Sequence, residues 1–191
     1  QETWQGSLSY FTMFIDRMIS RVPTGNMIGG NAEVTRRNIG TGFIHGFEAA
    51  GSFYFSRIGL PQWSGTMALS WVHGETDTFP TSAAIMERRP MSRIQPASAT
   101  LSLRWDHPSR RYWAEGLIMA AGAQHRLSPD DERDTQRIPP GGTPGYAVFT
   151  IRGGVEISRA ARILIALENI SDKDYRILGS GLNEPGRNLV I

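Results

Sequence analysis

Apolar residues in this chain recur at every second position in short runs, and that periodicity restricts the fold more tightly than any other feature. In AVFTIRGGVEI, residues 147–157, Ala147, Phe149, Ile151, Gly153, Val155 and Ile157 share one parity, while Val148, Thr150, Arg152, Gly154 and Glu156 share the other. Successive side chains of a β-strand point to opposite faces, so such a run divides a polar from an apolar medium. SATLSLRW (98–105) separates as cleanly, with Ala99, Leu101, Leu103 and Trp105 opposite Ser98, Thr100, Ser102 and Arg104. WSGTMALSW (63–71) sets Trp63, Met67, Leu69 and Trp71 against Ser64, Thr66 and Ser70. FIHGFEAAGSFYFS (43–56) repeats the pattern more weakly, and in 111–126 Leu117 and Met119 blur it by sharing a parity with Glu115. Twenty-one glycines and eleven prolines punctuate these runs, as an all-β chain with many turns requires.

The connections carry a second regularity. Strands read near 4–20, 33–56, 63–76, 97–106, 111–126, 146–158, 162–170 and from 187 onward leave gaps that alternate long and short. The short gaps are 57–62, 107–110 and 159–161; the long ones are 21–32, 77–96, 127–145 and 171–186. Membrane β-barrels have short turns on one rim, long loops on the other, and aromatic girdles between. Trp63, Trp71, Trp105, Tyr112, Trp113 and Tyr146 fall near strand ends. The expected fold is therefore all-β, an antiparallel transmembrane β-barrel or a piece of one with about eight strands. Alternating strands with aromatic edges also suit a soluble ligand-binding β-sandwich, with platforms at Trp71 or Trp113.

Composition removes several function classes. A formal charge of +2 without a basic tail or stripe gives no footprint for nucleic acid, although only one of the twenty basic residues, Lys173, is a lysine. There is no cysteine for a disulfide or thiolate site. No apolar run approaches the ~18 residues of a spanning helix. His45, His73, His107 and His125 lack metal-ligand spacing, and no nucleophile, phosphate-loop or zinc motif is present, so neither cofactor, metal site nor enzyme activity is expected. Candidate ligand contacts lie in the long gaps. Arg88, Arg89 and Arg93 offer guanidinium groups to an anionic ligand or to lipopolysaccharide. Asp130, Arg133 and Arg137 belong to a mixed-sign segment whose charges suit internal pairing. In SDKD, Asp172 and Asp174 have no third acidic neighbour for a metal.

LENISDKDYRILGSGLNEPGRN, residues 167–188, resembles the C-terminal signature of TonB-dependent outer-membrane receptors, through Asn169, Asp172, Tyr175, Gly179, Ser180, Pro185, Gly186, Arg187 and Asn188. Three further segments resemble the same family in the same order: RRNIGTGFIHGFEAAGSFYF (36–55), PMSRIQPASATLSLRW (90–105) and GGTPGYAVFTIRGG (141–154). The resemblance covers residues 1–191 as the C-terminal part of the barrel domain. It implies a plug domain and first barrel strands lying outside this chain, a final strand that is cut short, and a complete barrel of about 22 strands. It further implies TonB-dependent uptake of a scarce nutrient: a ferric siderophore or other iron chelate, haem or cobalamin. The implied partners are the TonB-ExbB-ExbD complex, acting through a TonB box outside this chain, the outer-membrane lipid and lipopolysaccharide, and the small-molecule ligand. Arg187 and Asn188 are expected to meet the neighbouring strand, to line the lumen, or to belong to a simple exposed polar turn. A passive porin-like barrel, its lumen lined by Ser98, Thr100, Arg104, Arg152 and Glu156, is the alternative within the same fold.

Overall fold

The computed structural model describes residues 3–191 as a single antiparallel sheet. Its strands are β1 (Trp4–Ile28), β2 (Asn31–Tyr54), β3 (Trp63–Thr78), β4 (Glu87–Pro90), β5 (Ser98–Asp106), β6 (Tyr112–Ala121), β7 (Tyr146–Ser158), β8 (Ala161–Glu168) and β9 (Asn188–Val190). The order is β1-β2-β3-β5-β6-β7-β8-β9, with β4 pairing the end of β3. Every path neighbour is thus a neighbour in sequence apart from β4, which is the up-and-down meander of a barrel wall. A second packed sheet is absent among the described residues, so the two-layer sandwich is excluded. No ladder among them joins β1 to β8 or β9, so the sheet is open.

Register explains why the two parities matter. Leu8, Ala49, Leu69, Ala99, Ala120 and Ala147 form one continuous cross-strand row. One row below, Leu101, Ile118 and Phe149 continue the same face, and many of its large residues, among them Leu8, Phe47, Leu69, Leu101 and Phe149, are solvent-exposed in the chain alone. This is the outward face of a barrel, whose solvent is hydrocarbon. The opposite face is polar at its lower end. Glu115, 8% exposed, accepts a 2.7 Å hydrogen bond from Arg152, and Arg104 chelates Asp106 while lying 4.2 Å over the Trp113 ring. The Thr66 and Ser102 hydroxyls are hydrogen-bonded to each other at 2.8 Å on the same face. Leu117 and Met119, both half-buried, lie higher on this inner face, paired with Thr150 and Val148 of β7. The buried hydrophobics Ile138, Val148 and Leu178 belong to the long loops or to β7 beside them.

Several boundaries differ from expectation. Residues 21–32 do not form a long loop: β1 and β2 continue as a two-stranded ribbon to a turn at Gly29 and Gly30. Both glycines have positive φ, 56° and 80°, which two-residue hairpin turns demand. A bilayer needs only about 9–11 residues per strand, so strands of 25 and 24 residues project far beyond it. The described residues form nine strands rather than the expected eight or so, because Glu87–Pro90 adds β4 inside the gap 77–96. β6 ends at Ala121, not 126. A 3-10 turn at Phe55–Ile58 overlaps the start of the gap 57–62, and the segment 127–145 contains a short helix, α1 (Pro129–Arg133). Pro129 at its first turn and a reciprocal cap between Ser128 and Asp131 start that helix, which its sequence, SPDD, encodes locally.

Candidate ligand-binding vestibule

Three long connections meet above the inner face, and one arginine joins them. Arg93, in the connection from β4 to β5, has left-handed φ of 62°. Its backbone N–H donates to Asp131 Oδ2 at 3.2 Å, its Nε lies 3.5 Å from Asp131 Oδ1, and its guanidinium forms an ion pair with Asp134. Ser92 adds a 2.7 Å bond to Asp131, whose side chain is only 4% exposed. Arg137 also pairs with Asp134, at 3.2 Å. The Arg93 Nη1 group reaches the third connection, lying 2.5 Å from where a side chain on Gly179 would begin. Burial acts to raise the Asp134 pKa, but the hydrogen bonds from Arg137 and Arg93 outweigh it, and the carboxyl is held below its usual range.

Between this junction and the projecting β1–β2 ribbon lies a recess of about 650 Å³. Met18, Met91, Phe79 and Val34 supply apolar walls, while Arg21, Arg36 and the Asp130–Arg133 pair supply charge. Asp130 accepts from Arg133 at 2.6 Å and so neutralises it. Among the described residues, neither Arg21 nor Arg36 has a carboxylate within ion-pair distance. At the recess floor the Met18 sulfur receives a hydrogen bond from the Thr76 hydroxyl at 3.2 Å, and the Met91 methyl approaches the same point over Gly42.

The structure distributes the sequence candidates over several places. Asp130 and Arg133 line the recess. Arg93 and Arg137 sit in the loop junction behind it. Arg88 is turned away from the recess: it pairs with Asp77 at 2.7 Å, donates to the Thr41 hydroxyl at 3.1 Å, and lies 5.3 Å over the outward Phe43 ring. Arg89 pairs with Glu87 at 3.0 Å. Arg21 was missed because residues 21–32 read as a loop; Arg36 fell within the expected strand 33–56, and only the continued ribbon brings the two arginines into register. His45 and His73 lie directly opposite each other on β2 and β3, with ring centroids 5.2 Å apart. Sequence spacing cannot reveal a pair set by strand register. Among the described residues no group of three or more His, Asp or Glu side chains could hold a metal.

The signature residues at the chain's end form one hydrogen-bonded unit. Asn169, 2% exposed and at φ 46°, accepts from Lys173 N at 2.8 Å and donates to the carbonyls of Lys173 (2.9 Å) and Pro185 (3.0 Å). Asp172 accepts from Arg187 N at 2.8 Å, and a side chain on Gly186 would begin only 2.6 Å from the same carboxylate oxygen. Arg187 Nε donates to Ile170 O at 3.0 Å, so this arginine meets the neighbouring segment. Asn188 reaches Glu168 across the β8–β9 ladder at 3.4 Å. Tyr175 packs on Tyr146 with centroids 4.6 Å apart, and Ser180, just after Gly179, bonds Leu182 O at 2.7 Å. Their work is to fold the last long connection back so that β9 can start.

Comparison with known proteins agrees with this geometry. The family model described as TonB dependent receptor-like, beta-barrel, matches residues 1–170. No curated protein matches the chain. Among solved structures, "Copper transporter OprC" superposes with a TM-score of 0.73 at 18% identity, over 99% of this chain and 28% of that one. The ferric-catecholate import receptor Fiu from E. coli K12 gives 0.65 at 16% identity, over 98% and 24%. The FrpB iron transporter from Neisseria meningitidis, F5-1 variant, gives 0.64 at 14%, over 99% and 28%. The chain thus spans about a quarter of the length of these neighbours. An open, sequentially ordered outer-membrane barrel wall, long loops gathered on one rim and a family match over most of the sequence have one reading: the chain belongs to the TonB-dependent receptor family, as part of its β-barrel.

Proposed function

We propose that this chain forms the C-terminal part of the barrel wall and of the outer vestibule of a receptor that takes up a scarce nutrient by TonB-dependent transport, with an anionic iron chelate as its ligand. The observation that carries this reading is the recess beside the β1–β2 ribbon, where Arg21 and Arg36 face a space of about 650 Å³ without a carboxylate counter-ion among the described residues. Guanidinium groups at a half-apolar mouth suit a ligand that combines negative charge with aromatic or aliphatic surface. The neighbours Fiu, a ferric-catecholate import receptor, and FrpB, an iron transporter, support iron as the cargo. The plug, the remaining strands and the TonB-ExbB-ExbD complex belong to the same proposal. A soft-metal cargo is the second reading, favoured by the convergence of Met18 and Met91 over Gly42, because thioethers select soft ions.

The test uses the intact receptor carrying this sequence. Binding of a ferric catecholate is followed by tryptophan fluorescence, alongside uptake of the labelled complex into iron-starved cells with and without TonB. Arg36→Ala and Arg21→Ala are each expected to weaken binding about tenfold, the loss of one charge-assisted contact of roughly 1.5 kcal/mol. Binding that neither substitution alters would reject the recess. Uptake that persists without TonB would identify the passive channel instead, and selective binding of a monovalent copper salt would favour the thioether reading.

A further inference from the structure

The ribbon that carries Arg21 and Arg36 leaves the sheet through a weak root. Up to Gly42, β2 is paired on both sides, with β1 and with β3; beyond Gly42 its only ladder among the described residues is with β1. That ladder is itself broken at the same level, by register shifts between Ile15 and Met18 and between Met18 and Ile19, with Arg17 at a left-handed φ of 52°. A two-stranded ribbon is marginal on its own, and bulges at its base bend it. Arg36 lies five residues beyond Thr41, about 17 Å along an extended strand, so a tilt of about 10° at the root carries it roughly 3 Å. That exceeds the tolerance of a hydrogen bond. The aim of such a lever has to be set at its base.

One carboxylate fastens the root. Asp77, near the end of β3, accepts through Oδ2 from the Thr41 N–H at 3.2 Å and the Thr41 hydroxyl at 2.5 Å, and through Oδ1 from Arg88 Nη1 at 2.7 Å. Arg88 also donates to the Thr41 hydroxyl at 3.1 Å, so β2, β3 and β4 are tied in a closed triangle. The Asp77 carbonyl lies 3.1 Å from where a side chain on Gly40 would begin, and the Thr76 hydroxyl meets both the Thr41 carbonyl and the Met18 sulfur at 3.2 Å. Glu75, the other carboxylate near Arg88, is 4.0 Å away and already bonded to Arg126 at 2.9 Å. Asp77 therefore carries the fastening.

We propose that Asp77 is a positioning residue of the vestibule, holding Thr41 and Arg88 so that Arg21 and Arg36 are aimed across the recess, a role that rests on the recess being the ligand site. Arg21 and Arg36 are direct cross-strand partners of like charge, an arrangement that disfavours an ordered ribbon until an anion lies between them. A fixed root presents both guanidiniums already oriented, which spares the ligand the entropic cost of ordering them. Arg88, a ligand contact by its sequence context, then serves the ligand at one remove. The sign of the effect separates this role from simple electrostatics. Removing a negative charge beside an anion site should tighten binding if charge alone mattered, whereas loss of the fastening weakens it.

The experiment uses the intact receptor and the ferric complex of 2,3-dihydroxybenzoate, with binding read by tryptophan fluorescence. Spin labels at Asn31→Cys on the ribbon tip and Glu132→Cys on α1 report the ribbon's position without ligand; residues 1–191 contain no other cysteine. Asp77→Asn is expected to broaden the label distances and to weaken binding about tenfold, with heat-modifiable gel mobility unchanged. Thr41→Val, which keeps every charge, is expected to act in the same direction by about threefold, and decides the matter should Asp77→Asn not assemble. In an Arg21→Ala/Arg36→Ala receptor, Asp77→Asn is expected to cost nothing further, because it acts through those two side chains. Unchanged distances overturn the proposal, as does tighter binding by Asp77→Asn or an equal penalty in the double-alanine background. Normal binding by the Arg21→Ala/Arg36→Ala receptor itself rejects the recess as the ligand site and Asp77's service to a ligand with it, a failure that the distances tell apart from failure of the fastening.

Discussion

At Asn169 one side chain satisfies two carbonyls and one N–H in a place that water barely reaches. Its left-handed φ is a conformation that asparagine tolerates better than most residues. Asn169→Ala is therefore expected to cost about 2–4 kcal/mol, since each stranded buried partner costs about 1–3 kcal/mol. In the intact receptor this appears as faster proteolysis between residues 170 and 187 and a lower unfolding temperature, while Asn169→Asp, which keeps the acceptor and loses both donors, is nearly as damaging. Wild-type protease resistance in either variant would show that β9 is held by other contacts. The NISDKDY and EPGRN motifs announced these residues, but only coordinates reveal that Asn169 and Pro185 close on each other.

The strand cores were legible because each separates two media, and the alternation holds in the structure through residues 100–104 of β5 and 146–151 of β7. What escaped lies where that contrast ends. The ribbon beyond the bilayer has polar solvent on both sides, so residues 21–32 lose the period-two signal while keeping the ladder. β4 is four residues long, ERRP, too short to show a period. The vestibule was legible only in part: its charges were visible, but opposing charges on separate connections could not be matched without coordinates. The Arg93 junction carries a pH prediction. Asp134 has a lowered pKa in the folded protein, so the stability it contributes is fully present above the unfolded value near 4 and is lost as pH falls through the lower folded value. Hydrogen-exchange protection across residues 122–145, corrected for the slower intrinsic exchange in acid, is expected to hold at pH 5 and to weaken as the pH falls well below the ordinary carboxylate value. Asp134→Asn should lack that protection throughout, and a wild type indifferent to this interval would exclude the ion pair as the fastening.

On the scale of the whole sheet, β1 offers one unpaired edge and β8 is covered by only three residues of β9. Backbone groups left open in hydrocarbon cost several kcal/mol each, so this sheet depends on further strands. Residues 1–191 refolded alone into detergent or liposomes are expected to remain protease-sensitive and to migrate identically with and without heating, whereas the intact receptor shifts. A heat-modifiable 191-residue species would mean that these strands close a small barrel by themselves.

The junction at Arg93 bears on how such receptors change their diet. The guanidinium of one loop is bonded to a second and packs against a third, so the three form a single inheritable unit: exchanging the first for a relative's would leave the buried Asp131 without its cation, and exchanging the second would leave the cation without Asp131 and Asp134. New ligand preferences on this scaffold should therefore arise by exchange of all three loops together, or by substitutions on the ribbon, whose tip lies outside the knot and is free to drift.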